Sequence, residues 1–347
     1  MRLYTGQHAY YCGIDLHARS MYLCVLDQTG TVRLHRNFAA EPAALLAALE
    51  PFRPDVVVAA ECTFTWYWLA DLCAEHNIPF ILGHALYMRA IHGAKAKNDR
   101  IDSRKISALV RGGNFPLAHV YPKANRATRD LLRRRLRLVR HRAELNVHIQ
   151  NTNSQYNLPP LPKRLAYRCN RDGVAERFAD TSARKSVELD LALMDTHDRM
   201  IVELERYILQ TAKDSDADTI CRLRTVPGIG KILALTIYYE LGEIGRFPTV
   251  QDFASYARLV KPSKESAGRV HGHGGAKIGN PHLKWSFSEA AVLFLRANPE
   301  GQKLLARYER KHGKAKALSI LAHRLGRAVY YILKRKTVFD MKQFIAA

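Results

Sequence analysis

The sequence predicts an α/β domain at the N-terminus, a helical spacer after it, and a mainly α domain at the C-terminus. Three observations lead there: strand-like and helix-like hydrophobic periods alternate over residues 1–120, apolar residues recur at seven in two later stretches, and the C-terminal third is basic and rich in apolar helical runs. At 347 residues, with 47% hydrophobic and 25% charged residues, the chain has the composition of a folded protein with room for a sizeable core. The segments divide at 1–120, 121–215 and 216–347.

Tyr10 to Asp15, Met21 to Leu26 and Val32 to Phe38 read as three strands joined by short polar turns, one carrying Thr29-Gly30. Glu41 to Glu50 is Ala/Leu-rich and helical, Asp55 to Ala60 is a continuous apolar run suited to a buried strand, and Phe64 to His76 is helical. Pro79 to Leu82 makes a fifth strand, and Lys97 to Arg111 a helix closed by Gly112-Gly113, giving the order β-β-β-α-β-α-β-α. In 124–155 Leu131, Leu138 and Leu145 recur at seven, joined by Leu132, Leu136 and Val139, and in 186–212 so do Val187, Met194, Ile201 and Ile208, with Leu204 at a second seam position. Pro159, Pro160 and Pro162 break the helix between them, which leaves a helical hairpin and an intermolecular coiled coil both open.

The net charge of +22 points to a polyanionic partner. Residues 1–120 are nearly balanced, with 12 basic and 10 acidic side chains, whereas 121–150 carry 9 against 2 and 221–347 carry 23 against 8. Polyanion binding therefore belongs to the Arg-rich helix, through Arg133, Arg134, Arg137 and Arg140, and to the C-terminal third. No apolar run is long enough to cross a membrane and no signal-peptide pattern opens the chain, so a cytoplasmic location without membrane contact is expected. Cys12, Cys24, Cys62, Cys73, Cys169 and Cys221 show no CxxC spacing and read as reduced thiols.

Four carboxylates occupy informative places. Asp15 ends the first strand, Glu61 ends the fourth, and Asp99 and Asp102 share one face at the start of a helix. Taken singly, each is an ordinary turn or helix-start acid. Together on a β-β-β-α-β-α frame they match the RNase H-like, RuvC-type arrangement, where clustered carboxylates need a divalent cation, and an all-oxygen set suits Mg²⁺.

Val226-Pro-Gly-Ile-Gly230 before an apolar helix has the form of a helix-hairpin-helix element, in which Gly228, Gly230 and Lys231 would receive a phosphate; a plain helix–helix turn is the alternative. Downstream, Ser266 lies in a basic, Gly-rich loop with Lys264, Arg269 and Lys277, where a hydroxyl could attack phosphorus. His271 and His273 have no cysteine partners and do not read as a zinc site.

Gly13-Ile14-Asp15, the Glu61 strand end, Asn98-Asp99-Arg100-Ile101-Asp102, the Pro-Gly-Ile-Gly turn and Glu265-Ser266-Ala267-Gly268 together resemble the DEDD transposases of the insertion sequence 110 class over nearly the whole chain. The resemblance implies a RuvC-like N-terminal domain, a coiled-coil spacer and a C-terminal transposase domain. It makes Asp15, Glu61, Asp99 and Asp102 the metal-binding tetrad and Ser266 the nucleophile. It also implies a homotetramer of dimers that joins target and donor DNA under a noncoding bridge RNA. Ala267 intervenes where that class often has Gly directly after Ser, so Ser263 is a rival nucleophile, and Arg258 stands where Gly is common. The expected activity is RNA-guided DNA recombination through a phosphoserine link. A junction-resolving nuclease and a non-enzymatic nucleic-acid scaffold are the alternatives.

Overall fold

The computed structural model describes residues 2–91, 98–212, 216–273 and 278–346, and the chain divides into two compact units, Met1–Ala124 and Asn125–Ala347. The spacer expected over 121–215 is thus part of the second unit, apart from its first few residues.

The first unit contains β1 (Leu3–Tyr4), β2 (Tyr10–Leu16), β3 (Ser20–Asp27), β4 (Val32–Ala39), α1 (Pro42–Leu49), β5 (Val56–Glu61), α2 (Trp66–Glu75), β6 (Phe80–Gly83), α3 (Ala85–Ile91), α4 (Asp99–Arg111) and β7 (Phe115–Pro116). Its main sheet has the order β4-β3-β2-β5-β6, antiparallel across β4, β3 and β2 and parallel across β2, β5 and β6. The five expected strands and three expected helices are all present. The short pair β1–β7 and helix α3 were not foreseen, because two-residue strands and a seven-residue helix carry no periodicity.

Alternation along β2 and β5 sorts their side chains onto two faces. Cys12, Ile14, Val58 and Ala60 join Leu45, Leu49, Leu69 and Cys73 of α1 and α2 in one core, while Tyr11, Val57 and Ala59 join Ile106, Leu109 and Val110 of α4 in another. Helix α4 lies unusually close to the sheet. A Cβ on Gly13 would stand 2.4 Å from the Ser107 backbone nitrogen and 2.5 Å from the Ser103 carbonyl oxygen. The Ser107 hydroxyl enters the β2–β3 ladder there, accepting from Gly13 N at 2.9 Å and donating to Cys24 O at 2.6 Å.

The second unit is helical: α5 (Lys123–Gln155), which begins at the end of the first unit, α6 (Thr181–Thr211), α7 (Ala217–Arg224), α8 (Lys231–Leu241) and α9 (Val250–Tyr256) precede a β-hairpin. The hairpin is β8 (Ser263–Ser266) and β9 (Arg269–His273), and α10 (Pro281–Phe294), α11 (Pro299–His312), α12 (Lys314–Arg335) and α13 (Met341–Ala346) follow. Helices α5 and α6 pair antiparallel within the chain: Arg135 binds Glu205, Arg142 binds Asp198 and His148 meets Asp190. Val187, Met194, Ile201 and Ile208 are all buried, as the seven-residue recurrence requires. On α5 the buried apolar residues are Leu132 and Leu136, both expected beside the repeat, and Ile149, while the recurring Leu131, Leu138 and Leu145 lie half-buried at the flank of the seam. A core of Leu223, Val226, Ile237, Phe253, Phe287, Phe294, Leu321 and Val329 gathers α7 to α10 and α12.

Because the Gly13 contact is to backbone, Gly13→Ala should destabilise the protein by about 1–3 kcal/mol, read as a lower urea midpoint. Ser107→Ala, which leaves a buried Gly13 N–H without its acceptor, should cost a comparable ~1–3 kcal/mol. An unchanged midpoint in both variants would contradict this account of α4 docking.

Candidate functional site

The α4 contact sets the position of the acids. Gly13 lies between Ser103 and Ser107, so one further helical turn toward the α4 N-terminus, about 5.4 Å, matches the two strand residues, about 6.6 Å, from Gly13 to Asp15. Asp15 and Glu61 are on the α4 face by alternation, and in the parallel β2–β5 register each is one residue past the Ile14–Ala60 pair. Asn98 caps α4 by accepting from Ile101 N at 2.8 Å, which places Asp99 and Asp102 in the first turn. All four carboxylates expected from the sequence are thereby brought to one edge of the sheet.

Their charges act on one another. Burial pushes the Asp15 carboxyl above the ordinary range; His17 pulls it back, and Asp99, Asp102 and Glu61 raise it further. The Asp15 side chain is 18% exposed and that of Asp102 22%, against 53% for Asp99, so Asp99 is the most open of these three. Lys105 Nζ lies 3.3 Å from Asp102 Oδ1 and partly neutralises it.

His17 was missed in the sequence, although its signal was there: it continues the alternation Tyr11, Gly13, Asp15 beyond the end of β2. Its Nε2 is 3.4 Å from Asp99 Oδ1 and 3.7 Å from Asp15 Oδ1. Among the described residues Asp15, His17 and Asp99 form the group whose ligand atoms all lie within 4.8 Å of one another. Ligands about 2.1 Å from a shared octahedral ion stand about 3.0–4.2 Å apart, and both His17 distances fall in that range. Phe64, on the loop between β5 and α2, is 85% exposed and was also unforeseen.

Ser266 belongs to the second unit. The expected Gly-rich loop is, over residues 263–273, a β-hairpin whose two-residue turn, Ala267-Gly268, has φ values of 50° and 71°. That is the primed turn geometry whose twist suits a hairpin. Ser266 pairs directly with Arg269, and this cross-strand register sets hydroxyl and guanidinium on one face. Ser263 is three residues from Ser266 along β8, pairs with His273, and is separated from Ser266 by a register shift between Lys264 and Glu265. Arg258, at φ 54°, occupies the left-handed position usual for glycine and donates from Nε to Ile278 O and Gly279 O, both at 2.9 Å. With Asn280 N donating to Tyr256 O at 2.6 Å, this clamps the base of the arm.

The basic candidates divide. Arg134, Arg137 and Arg140 are exposed on α5, as are Gly230 and Lys231 at the start of α8, and Arg269. Arg133 is instead bound to Glu240, a fully buried carboxylate that accepts from Arg133 Nη2 at 2.9 Å, Arg129 Nε at 3.1 Å and Asn280 Nδ2 at 2.7 Å. Burial opposes the Glu240 charge, but Arg133, Arg129 and Asn280 together hold its carboxyl below the ordinary range. Nearby, burial pushes His282 down to about 4, so its imidazole is neutral at physiological pH. The close approach at Gly228 is to α10, where a Cβ on this residue would stand only 2.5 Å from Phe294 N, rather than to open surface. Lys277 and the side chain of Lys264 lie outside the described residues.

A mixed five-stranded sheet with two acids on adjacent strand ends and two on the helix beside them has the arrangement of an RNase H-like domain. Residues 12–157 match a DEDD transposase family model of the IS110 type, and residues 221–306 match the model described as transposase IS116/IS110/IS902 family. The chain belongs to this IS110 family of transposases. It is 24% identical over 337 residues to the transposase for insertion sequence element IS1111A of Coxiella burnetii, covering 94% of this chain and 90% of that one. It is 23% identical over 346 residues to the transposase for insertion sequence element IS1328 of Yersinia enterocolitica, covering 94% and 98%. A putative transposase of Sinorhizobium fredii, y4qE, is 25% identical over 221 residues, a match that spans 62% of this chain and 53% of that protein.

The raised Asp15 value has a measurable consequence in metal-free protein. A carboxyl whose folded value exceeds its unfolded value adds stability when protonated, and loses that contribution as the pH rises through the folded value. Asp15→Asn should therefore raise Tm at neutral pH in EDTA, with the gain shrinking as the pH falls to about 4. A gain independent of pH would show that the charge is not its cause.

Proposed function

We propose that this protein is the transposase of a mobile insertion sequence, which cuts and rejoins DNA with Ser266 as nucleophile and Asp15, Glu61, Asp99 and Asp102 as the divalent-metal tetrad. The convergence of the four acids on one sheet edge, in a chain matched in both halves by transposase family models, carries this reading. No helix of the described residues is long and apolar enough to cross a membrane.

The tetrad oxygens would hold Mg²⁺, which supplies charge stabilisation to the phosphoryl group in transfer. The Ser266 hydroxyl attacks phosphorus and loses its proton; the P–O3′ bond breaks, and the departing 3′ oxygen gains one. DNA is left joined through its 5′ phosphate to the serine, and a 3′-hydroxyl reverses the step after strand exchange. Arg269, opposite Ser266, offsets phosphate charge. The N-terminus of α8, where Gly230 and Lys231 are exposed, receives a backbone phosphate, and the Phe64 ring offers a face to an unstacked base. Family resemblance supports guidance by a bridge RNA and a tetramer built from dimers, with tetrad and serine meeting from different protomers. The position of Ser266 directly opposite Arg269, beside the turn, supports Ser266 over Ser263 as the nucleophile.

A suicide substrate nicked beside the cleavage site should trap a protein–DNA adduct on Ser266, and Asp102→Asn should abolish its formation. Label on Ser263 would move the nucleophile. No adduct, with metal-dependent hydrolysis surviving in Ser266→Ala, would establish a water-activating nuclease instead. Recovery of one discrete RNA with the purified protein tests guidance, and heterogeneous RNA would count against it.

Binding to nucleic acid should weaken steeply with salt, because phosphate contacts release condensed counterions. Arg134→Glu with Arg137→Glu should flatten the dependence of log Kd on log salt by about two contacts. An Arg133 change should instead lower stability, through the loss of its bond to buried Glu240.

A further inference from the structure

We propose that His17 is a nitrogen ligand of the metal centre and makes that centre bind Mn²⁺ in preference to Mg²⁺. The inference rests on the tetrad's being a divalent-cation site, and it goes beyond the four acids in both donor set and ion.

Three observations carry it. His17 Nε2 stands 3.4 Å from Asp99 Oδ1 and 3.7 Å from Asp15 Oδ1, inside the spacing that ligands of one ion adopt. The ring is placed by the fold: His17 N donates to Ser20 O at 2.9 Å, closing the turn between β2 and β3. The imidazole therefore projects from a short turn anchored to two paired strands. Its side chain is also 53% exposed, so a hydrated ion can approach without unpacking a core.

Donor chemistry then sets the ion. Mg²⁺ favours oxygen and sheds water reluctantly, whereas first-row transition ions accept imidazole readily. Carboxylates alone discriminate weakly between Mg²⁺ and Mn²⁺. One imidazole among them shifts the balance toward Mn²⁺, and Asp99, the most exposed of Asp15, Asp99 and Asp102, lies on the same side as His17.

The test measures binding without reference to catalysis. Full-length protein, stripped with EDTA, is titrated with Mn²⁺ and separately with Mg²⁺ by calorimetry, and the Mn²⁺ complex is examined by pulsed EPR for coupling to ¹⁴N. His17→Ala and His17→Gln are compared with Asp15→Asn. The expected result is tighter Mn²⁺ than Mg²⁺ binding in the wild type, with a nitrogen coupling that disappears in both His17 variants. Those variants should lose about tenfold or more in Mn²⁺ affinity, in line with the cost of disturbing a metal's protein ligands, while Mg²⁺ affinity changes little.

Binding of both ions that is lost in Asp15→Asn, with Mn²⁺ affinity and EPR spectrum unchanged in the His17 variants, would overturn the role of His17 and keep the metal site. Tighter binding of both ions on removing His17 would make it a cation that neutralises the acids, and would overturn the proposal too. Failure of the wild type to bind either ion would overturn the metal reading itself.

Discussion

The contact of α4 with β2 at Gly13 is the constraint on which the first unit depends. A helix can approach a sheet this closely only where the strand carries no Cβ and the helix presents small side chains. Gly13, Ser103 and Ser107 meet those conditions, and all three are buried. The Ser107 hydroxyl, inserted between Gly13 N and Cys24 O, fixes the helix along the strand as well as against it. From that one registration the distance from Asp99 and Asp102 to Asp15 follows, because a helical turn and a strand dipeptide have nearly the same rise.

The cost of the arrangement is visible in the Asp15 carboxyl. Burial and three neighbouring acids, Asp99, Asp102 and Glu61, push it toward its protonated form, which works against the ionised state that holding a metal would require. His17 and Lys105 relieve part of that repulsion, and a divalent ion would relieve more.

The second unit solves a different problem, that of holding an exposed two-stranded arm. A lone hairpin is marginal in water, and Val270 on this one is 61% exposed. Its definition comes from the base, where Arg258, Gly279 and Asn280 join the ends of the arm. Asn280 also donates to Glu240, which binds Arg129 and Arg133. The root of the serine arm and the Arg-rich helix are thus parts of one buried charge network, so Arg133 serves architecture while its neighbours Arg134 and Arg137 face solvent.

Local pattern alone was sufficient for the main-sheet strands and for α1, α2 and α4 of the first unit, and for the buried seam Val187, Met194, Ile201 and Ile208, because alternation and a repeat of seven are properties of single elements. The four acids took their meaning from the β-β-β-α-β-α frame as a whole. Other features depended on contacts between distant residues. His17 gained meaning only when α4 brought Asp99 beside it, some eighty residues on. Arg133 could not be told from Arg134 until α8 supplied Glu240. Gly228, which the sequence alone opens to a ligand, is covered by α10. The Ser266 segment, read as a loop for its glycines, became a hairpin because positive φ at Ala267 and Gly268 gives a turn that returns the chain on itself. Sequence determined which residues could carry charge, metal or a phosphate; tertiary structure decided which of them face solvent, because burial and pairing are set by what folds against a residue and not by its neighbours in the chain.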